Sequence, residues 1–251
     1  AIRTADSAGT IIMEGLPINA LYGWKTNGFF QNYDEIQNAA LPTGIDRSQL
    51  RPGDVRYVDL NSDGKIDEND RTYLGYAFPR YTYGFTYNVK WKGIDFSIML
   101  QGVLKRENPV RGELVQPFHA DYSMTMFDHQ LDYWSPQNRD ARWPRLGVSG
   151  SVSDTNNWGH TGSDMMLLEG AYMRIKNIQL GYTLPKKWTK KFGCEALRIY
   201  FDTQNPLTWT KNGFVDPETT SFGNNMSGGA DNSVRNYPTL RYFGGGIDLT
   251  F

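Results

Sequence analysis

Hydrophobic and polar residues alternate along several segments of this chain. In Tyr81–Trp91 every second side chain is aromatic or apolar, and Thr, Gly, Asn and Lys occupy the positions between. A period of two places one set of side chains on each face of an extended strand. The alternation resumes over 94–100 after Lys92-Gly93, so residues 81–104 are predicted to form an antiparallel hairpin with one apolar face.

Later segments have the same pattern. Residues 172–209 are predicted to form a pair of strands, joined by a short basic connection near Pro185 with room for one helical turn. A terminal strand is predicted over 241–251, where Phe251 is in phase with the apolar positions. A sixth strand is a candidate near 18–25. The fold class predicted is therefore all-β with antiparallel strands.

The connections between these strands are of very unequal length. Lys92-Gly93 and the segment after Pro185 are short, whereas 105–171 and 210–240 are much longer than the median connection of ~4–6 residues. If the strands alternate in direction, both long connections lie at one end of the sheet. Short turns at one end and long loops at the other are typical of outer-membrane β-barrels.

Composition argues against several classes of protein and favours a β-rich fold. The chain of 251 residues has 26 basic and 27 acidic residues, a formal net charge of -1, so nucleic acid is not expected as a partner. No apolar run approaches the ~20 residues of a membrane-spanning helix. A single cysteine, Cys194, excludes an internal disulfide. The 15 Tyr, 13 Phe, 7 Trp and 26 Gly favour sheets and tight turns.

The segment 59–70 has the spacing of a calcium-binding loop. Acidic or amide side chains occupy positions 1, 3, 5, 9 and 12, with Gly64 at position 6 for the sharp turn and a backbone carbonyl at position 7. The predicted calcium ligands are Asp59, Asn61, Asp63, the Lys65 carbonyl, Asp67 and Asp70. Ile66 is predicted to point inward and anchor the loop. The alternative is an acidic turn without metal, because Asp, Asn and Gly favour turns in any case.

Other candidate chemistry lies within 105–171. Trp134, Trp143 and Trp158 are candidates for stacking on a sugar or peptide ligand; the alternative is that an amphipathic helix over 122–134 packs its aromatic residues onto the segment itself. His119, His129 and His160 have no zinc-ligand spacing and are interpreted as solvated loop residues. No nucleophile elbow or phosphate-binding glycine loop is present. An enzyme is therefore not expected.

Several segments, spread in order over nearly the whole chain, carry a family resemblance: residues 15–30, 52–59 continuing into the acidic segment, 70–75, 133–138, 173–178, 180–185, 204–208 and the final Phe251. Taken together, these segments resemble the C-terminal part of the SusC/RagA family of TonB-linked outer-membrane receptors from Bacteroidetes-type bacteria.

The resemblance implies a 22-stranded barrel in the outer membrane of a Gram-negative bacterium. It also implies an N-terminal plug, contact with TonB through an N-terminal part missing here, a SusD-like surface lipoprotein as partner, and import of oligosaccharides or peptides. The segments 25–79 (with the calcium motif), 105–171 and 210–240 would be extracellular and the C-terminus periplasmic. Tyr83, Phe85, Leu180 and Phe201 would face outer-membrane lipid. Five strands cannot close a barrel alone, because the smallest membrane barrels need ~8.

Alternation alone leaves a rival fold open. A secreted β-sandwich that binds glycans, stabilised by calcium, would also have strands with one apolar face. The two folds differ in whether the chain covers its own apolar face. A hydrolase is a third, weaker hypothesis, because no pair of carboxylates is singled out by its spacing.

Overall fold

The computed structural model describes residues 4–6, 10–18, 20–110, 112–118, 125–160, 162–218 and 238–251. The strands are β1 (Thr4–Asp6), β2 (Thr10–Ile12), β3 (Ala20–Trp24), β4 (Thr26–Phe29), β5 (Leu41–Pro42), β6 (Val55–Tyr57), β7 (Lys65–Ile66), β8 (Arg71–Tyr76), β9 (Tyr81–Trp91), β10 (Ile94–Leu104), β11 (Glu107–Pro109), β12 (Leu167–Glu169), β13 (Tyr172–Thr183), β14 (Ala196–Thr210) and β15 (Tyr242–Thr250). The α-helices are α1 (Tyr33–Asn38), α2 (Val152–Trp158) and α3 (Lys186–Thr189).

Contacts divide the chain into two compact units, of which one contains a five-stranded antiparallel sheet. Its strand order is β15-β14-β13-β10-β9, and we call it the wall sheet. The predicted hairpin, strand pair and terminal strand are confirmed as its five strands. The predicted helical turn after Pro185 is α3, followed by a 3-10 turn over Lys190–Phe192.

The register of the wall sheet keeps one apolar face across all five strands. Phe85 pairs with Leu100, Ile98 with Ile178, and Leu180 with Phe201. Two bulges interrupt the pairing, one in β13 between Ile175 and Asn177 and the other in β14 opposite it. The bulge in β13 leaves Lys176 without a partner on β10, which returns the apolar side chains of β13 to the same face.

The apolar face of the wall sheet is open to its surroundings. Phe85 is 55% exposed, Trp91 63% and Ile247 63%. A β-sandwich buries such a face between its two sheets, so the sandwich alternative does not fit the structure. No helix in the described part of the chain is long and apolar enough to cross a membrane.

The other unit consists mainly of the segments 1–78 and 107–168. Its largest sheet has the order β1-β2-β3-β8, so the sixth strand predicted near 18–25 exists as β3. β3 pairs with β2 and β8 and therefore belongs to this sheet rather than to the wall sheet. Local alternation identifies a strand but does not identify its partner.

Segments predicted as long loops form the core of this unit. Val55, Tyr57, Ile66 and Met165 form one buried cluster, and Phe30, Ile36 and Leu50 form another. The predicted helix over 122–134 is absent from its described residues 125–134, whose helical structure is limited to a 3-10 turn at Asp128–Gln130. Tyr122 lies outside the described residues.

Candidate functional sites

The apolar face of the wall sheet is the largest candidate contact surface. Its exposed side chains include residues of every strand: Tyr81, Tyr83, Phe85, Tyr87, Val89, Trp91, Ile94, Leu104, Leu180, Tyr182, Ile199, Phe201, Leu207, Trp209, Phe243, Ile247 and Leu249. Monomeric soluble proteins rarely expose so large a contiguous apolar area. The lipid-facing residues predicted from sequence, Tyr83, Phe85, Leu180 and Phe201, all belong to it.

The opposite face of the wall sheet is polar and contains an ion-pair network. The guanidinium of Arg198 donates to both carboxylate oxygens of Asp95, at 3.0 and 2.7 Å, and to Asp248 at 2.9 Å. Gly181 lies under this pair: a Cβ there would be 2.6 Å from Asp95 Oδ1. The glycine therefore leaves room for the ion pair to cross β13.

A second charged cluster holds the chain after β14 against the polar face. Arg174 Nη2 contacts Asp216 Oδ1 at 2.6 Å, Arg174 also donates to Glu218, and Lys176 Nζ contacts Glu218 at 3.0 Å. Burial alone would raise the pKa of Asp216, but hydrogen bonds from the Glu218 N–H, Arg174 and Thr239 hold it below its usual value. This cluster leaves no local sequence pattern, because its partners are about 40 residues apart in the chain.

The acidic segment 59–70, which we call the acidic loop, forms the turn that its spacing predicts. Asp59 accepts hydrogen bonds from the backbone N–H groups of Ser62 at 2.6 Å and Gly64 at 2.8 Å. Gly64 has a φ of +84°, which glycine adopts without a Cβ penalty. Asn61 Nδ2 donates to Asp63 Oδ2 at 3.0 Å, so the two side chains meet.

The end of the acidic loop is buried and fixed. Asp70 is 0% exposed, and its carboxylate accepts from the N–H groups of Leu60 and Asp67, each at 2.8 Å. Ile66 packs in the core, which confirms its predicted inward position. The indole of Trp24 donates to the Asp67 carbonyl at 2.8 Å and thus lies against the loop.

The donor chemistry of the acidic loop suits calcium, which takes 6–8 oxygen ligands. The predicted ligands offer five oxygen-bearing side chains and a carbonyl. Each carboxylate oxygen that accepts one N–H still has a free lone pair. In the described residues, however, no three Asp, Glu, His or Cys side chains converge on one point as they do around a bound ion.

The candidate ligand-binding tryptophans lie at different depths. Trp143 is 1% exposed and Trp134 7%, and Trp158 packs against the core cluster of Val55. The indole of Trp143 donates to the His129 carbonyl at 3.0 Å. Their role in ligand contact stays a prediction, and the burial of Trp134 and Trp143 favours the packing alternative.

The wall sheet defines the class of fold. A sheet with one exposed apolar face and one polar face, short connections at one end and long connections at the other, has the construction of an outer-membrane barrel wall. Comparison with solved structures supports the same fold. The RagAB peptide transporter matches with a TM-score of 0.61 at 20% identity over 98% of this chain, and the RagAB peptide importer in its closed-closed state matches with a TM-score of 0.61 over 99%.

The curated sequences to which the chain is similar are TonB-dependent receptors. The chain is 27% identical over 96% of its length to TonB-dependent receptor P3 of Formosa agariphila, and 27% identical over 91% to TonB-dependent receptor SusC of Bacteroides thetaiotaomicron. No family model matches. The predicted resemblance to the C-terminal part of SusC/RagA-type TonB-dependent receptors is confirmed. The chain spans 23% and 20% of those two relatives and 24% of the RagAB chains.

Proposed function

We propose that this chain forms part of the wall of an outer-membrane, TonB-dependent nutrient importer. The observation that carries the proposal is the uncovered apolar face of the wall sheet, which a membrane would cover. The relatives are receptors and transporters rather than enzymes, in agreement with the expectation that this protein is not an enzyme. Pairing of the edge strands β9 and β15 with further strands of a larger barrel would complete the wall.

The proposed cargo is an oligosaccharide or a peptide. The RagAB peptide transporter motivates the peptide class, and the resemblance to the SusC/RagA family noted from the sequence implies the oligosaccharide class. A SusD-like surface lipoprotein is the proposed partner, and TonB the proposed energy source. In this arrangement the long connections lie outside the cell and Phe251 on the periplasmic side.

Uptake in cells tests the function directly. A strain lacking the gene is supplied with pools of oligosaccharides or peptides, and import is compared with and without TonB. We expect loss of growth or uptake for one pool, restored by the complete receptor only when TonB is present. Affinity purification of the receptor should retain a surface lipoprotein. Uptake that persists without TonB would contradict the proposal.

We further propose that calcium binds the acidic loop and has a structural role. Asp59, Asp63, Asp67 and Asp70 place four carboxylates in one short segment. Like charges so close repel, and a divalent cation held by Asp59, Asn61, Asp63, the Lys65 carbonyl, Asp67 and Asp70 would offset this repulsion.

Terbium luminescence tests the calcium proposal. Tb³⁺ replaces Ca²⁺ at oxygen sites, and excitation of Trp24, which touches the loop, should sensitise its emission. Calcium should compete the signal away, and Asp63→Asn should weaken terbium binding by at least about tenfold. Trp24→Phe is the matched control, which should dim the emission without changing calcium affinity by calorimetry. Equal calcium affinity in Asp63→Asn and the parent would reject the site.

A further inference from the structure

One end of the wall sheet has a dense group of lysines beside two exposed tryptophans. The group contains Lys92 in the turn between β9 and β10, and four lysines in the connection between β13 and β14. The Gly93 carbonyl accepts a hydrogen bond from the Thr183 N–H at 2.7 Å, so the two connections lie side by side. We call this surface the basic ridge: Lys92, Lys186, Lys187, Lys190 and Lys191, with Trp91 and Trp188.

The basic ridge has little neutralising charge. Glu195 is 3.9 Å from Lys186, and both side chains are mostly exposed. In the described residues Lys187, Lys190 and Lys191 form no ion pair. The lysine side chains are exposed. Five cations against one carboxylate therefore leave a strongly positive surface, although the chain as a whole is close to neutral.

Trp91 connects this charge to the apolar face. Trp91 is the last residue of β9 on that face, and Trp188 is 54% exposed within α3. Lys92 Nζ lies 4.8 Å from the centroid of the Trp91 ring, a cation–π distance. An exposed tryptophan beside an apolar band, with lysines beyond it, is arranged like the interfacial belt of a membrane protein.

Lys92 occupies a backbone position that favours other residues. Its φ is +47° and that of Gly93 is +88°, as in the two-residue hairpin turns that usually begin with Asn, Asp or Gly. A lysine there is conformationally less favourable than asparagine. The side chain it supplies is a long cation held over Trp91.

We propose that the basic ridge binds the phosphate of anionic glycerophospholipids at the edge of the membrane. The inference rests on the proposed function, because it needs the apolar face to lie in a bilayer. Lysines at an anionic lipid surface each add to binding, and tryptophan rings sit at headgroup depth. The ridge would thus fix the height of the short-connection end of the wall in the leaflet that it contacts.

Native mass spectrometry of the complete receptor tests this proposal. The receptor is extracted into mixed micelles of phosphatidylglycerol and phosphatidylethanolamine, and the retained lipids are counted. We expect phosphatidylglycerol to be enriched, less so at high salt because screening weakens the attraction. Replacing Lys186, Lys187, Lys190 and Lys191 with Gln should weaken phosphatidylglycerol retention by at least about tenfold.

Matched variants distinguish an effect of lost positive charge from an effect of impaired folding. Replacing the same four lysines with Arg should preserve retention, and Lys105→Gln with Lys211→Gln, at the other end of the sheet, should leave it unchanged. Equal retention of both lipids by the parent receptor would overturn the proposal even if the Gln variant fails to assemble. Unchanged retention in an assembled Gln variant would overturn it too.

Two further measurements test other ligands of the basic ridge. Stronger retention of lipopolysaccharide than of phosphatidylglycerol through the same lysines would place the ridge against the opposite leaflet and overturn the assignment. A ridge-dependent acidic protein bound in place of lipid would do the same. Cargo uptake is measured on each variant in parallel, so that a failure of the proposed import function is distinguished from a failure of lipid recognition.

Discussion

Several residues of the wall sheet act by leaving space for a neighbour on the next strand. Gly102 lies under the Tyr83 ring: a Cβ there would be 2.3 Å from the Tyr83 hydroxyl, which donates to the Tyr172 carbonyl at 3.4 Å. Gly246 lies under Tyr200 in the same way. An aromatic ring over a strand glycine restores packing that the glycine lacks. Sequence alternation places both partners on one face but does not show which ring covers which glycine.

His160 is expected to make the unit that contains the acidic loop sensitive to acid. Its ring packs edge-on against Trp24 and Tyr57, with centroids 5.3 and 5.2 Å away. Burial lowers the pKa of His160 below its usual 6.5, and the charge of Glu68 only partly offsets this. The unfolded chain therefore takes up a proton at a higher pH than the folded chain does.

The free energy of unfolding should consequently fall as the pH drops below about 6.5, down to the lowered pKa of folded His160. Above about pH 6.5, His160 is neutral in both the folded and the unfolded chain, so it no longer lowers the free energy of unfolding. His160→Leu, which cannot be protonated, should reduce this acid sensitivity. Denaturant unfolding of the receptor in detergent, followed by Trp fluorescence between about pH 7.5 and about pH 5, measures it. An identical pH dependence in parent and variant would show that His160 is not the responsible group.

At the scale of elements, the hairpin β9–β10 was predictable to within a residue. Strict alternation on both sides of Lys92-Gly93 fixes strand identity, register and face together. The bulges were not predicted. In β13, Ile175 and Ile178 share a face although they are three residues apart, and the pairing with Leu100 and Ile98 across the strand explains why. The bulge is required to keep one face apolar.

A charged residue on the two faces of β10 should have opposite consequences. Ile98 lies on the apolar face between Tyr87 and Ile178, and Ser97 on the polar face between Asn88 and Gln179. Ile98→Arg should destabilise the folded receptor in lipid by about 2–4 kcal/mol, because arginine would face hydrocarbon at mid-depth. Ser97→Arg, its adjacent control, should cost less than about 1 kcal/mol.

Denaturant titration of the receptor reconstituted in phospholipid vesicles measures both variants. The difference between them matters more than either value, since both introduce the same side chain one residue apart. If Ser97→Arg is as damaging as Ile98→Arg, the assignment of the two faces is wrong.

At the scale of the whole molecule, sequence reasoning predicted the wall better than the unit formed by 1–78 and 107–168. The wall follows from local alternation, whereas the other unit is held by contacts between distant segments. Buried Asp54, for example, accepts hydrogen bonds from Arg145 at 2.9 Å and Ser153 at 2.7 Å. Tyr57 donates to the Asn156 carbonyl at 2.8 Å. Partners about 100 residues apart leave no local pattern.

The candidate sites show the same difference between local patterns, which the sequence reveals, and contacts between distant segments, which it does not. The acidic loop was predictable in its turn, its Gly64 and its inward Ile66, because all its parts lie within one short segment. The Arg174–Asp216–Glu218 cluster was not, because its members come from different segments. The tryptophans of 105–171 were visible as candidates, but their depth depends on folding that the sequence pattern does not specify.

The most direct test of membrane contact determines what covers the apolar face of the wall sheet. Single cysteines at Phe85→Cys, Thr86→Cys, Phe201→Cys and Asp202→Cys are introduced with Cys194→Ser into the complete receptor, labelled with an environment-sensitive fluorophore and reconstituted into vesicles. Spin-labelled lipids should quench probes at positions 85 and 201, and an aqueous quencher those at 86 and 202. Probes at 85 and 201 that are shielded from lipid or reached from water would contradict the assignment of this chain to a membrane wall.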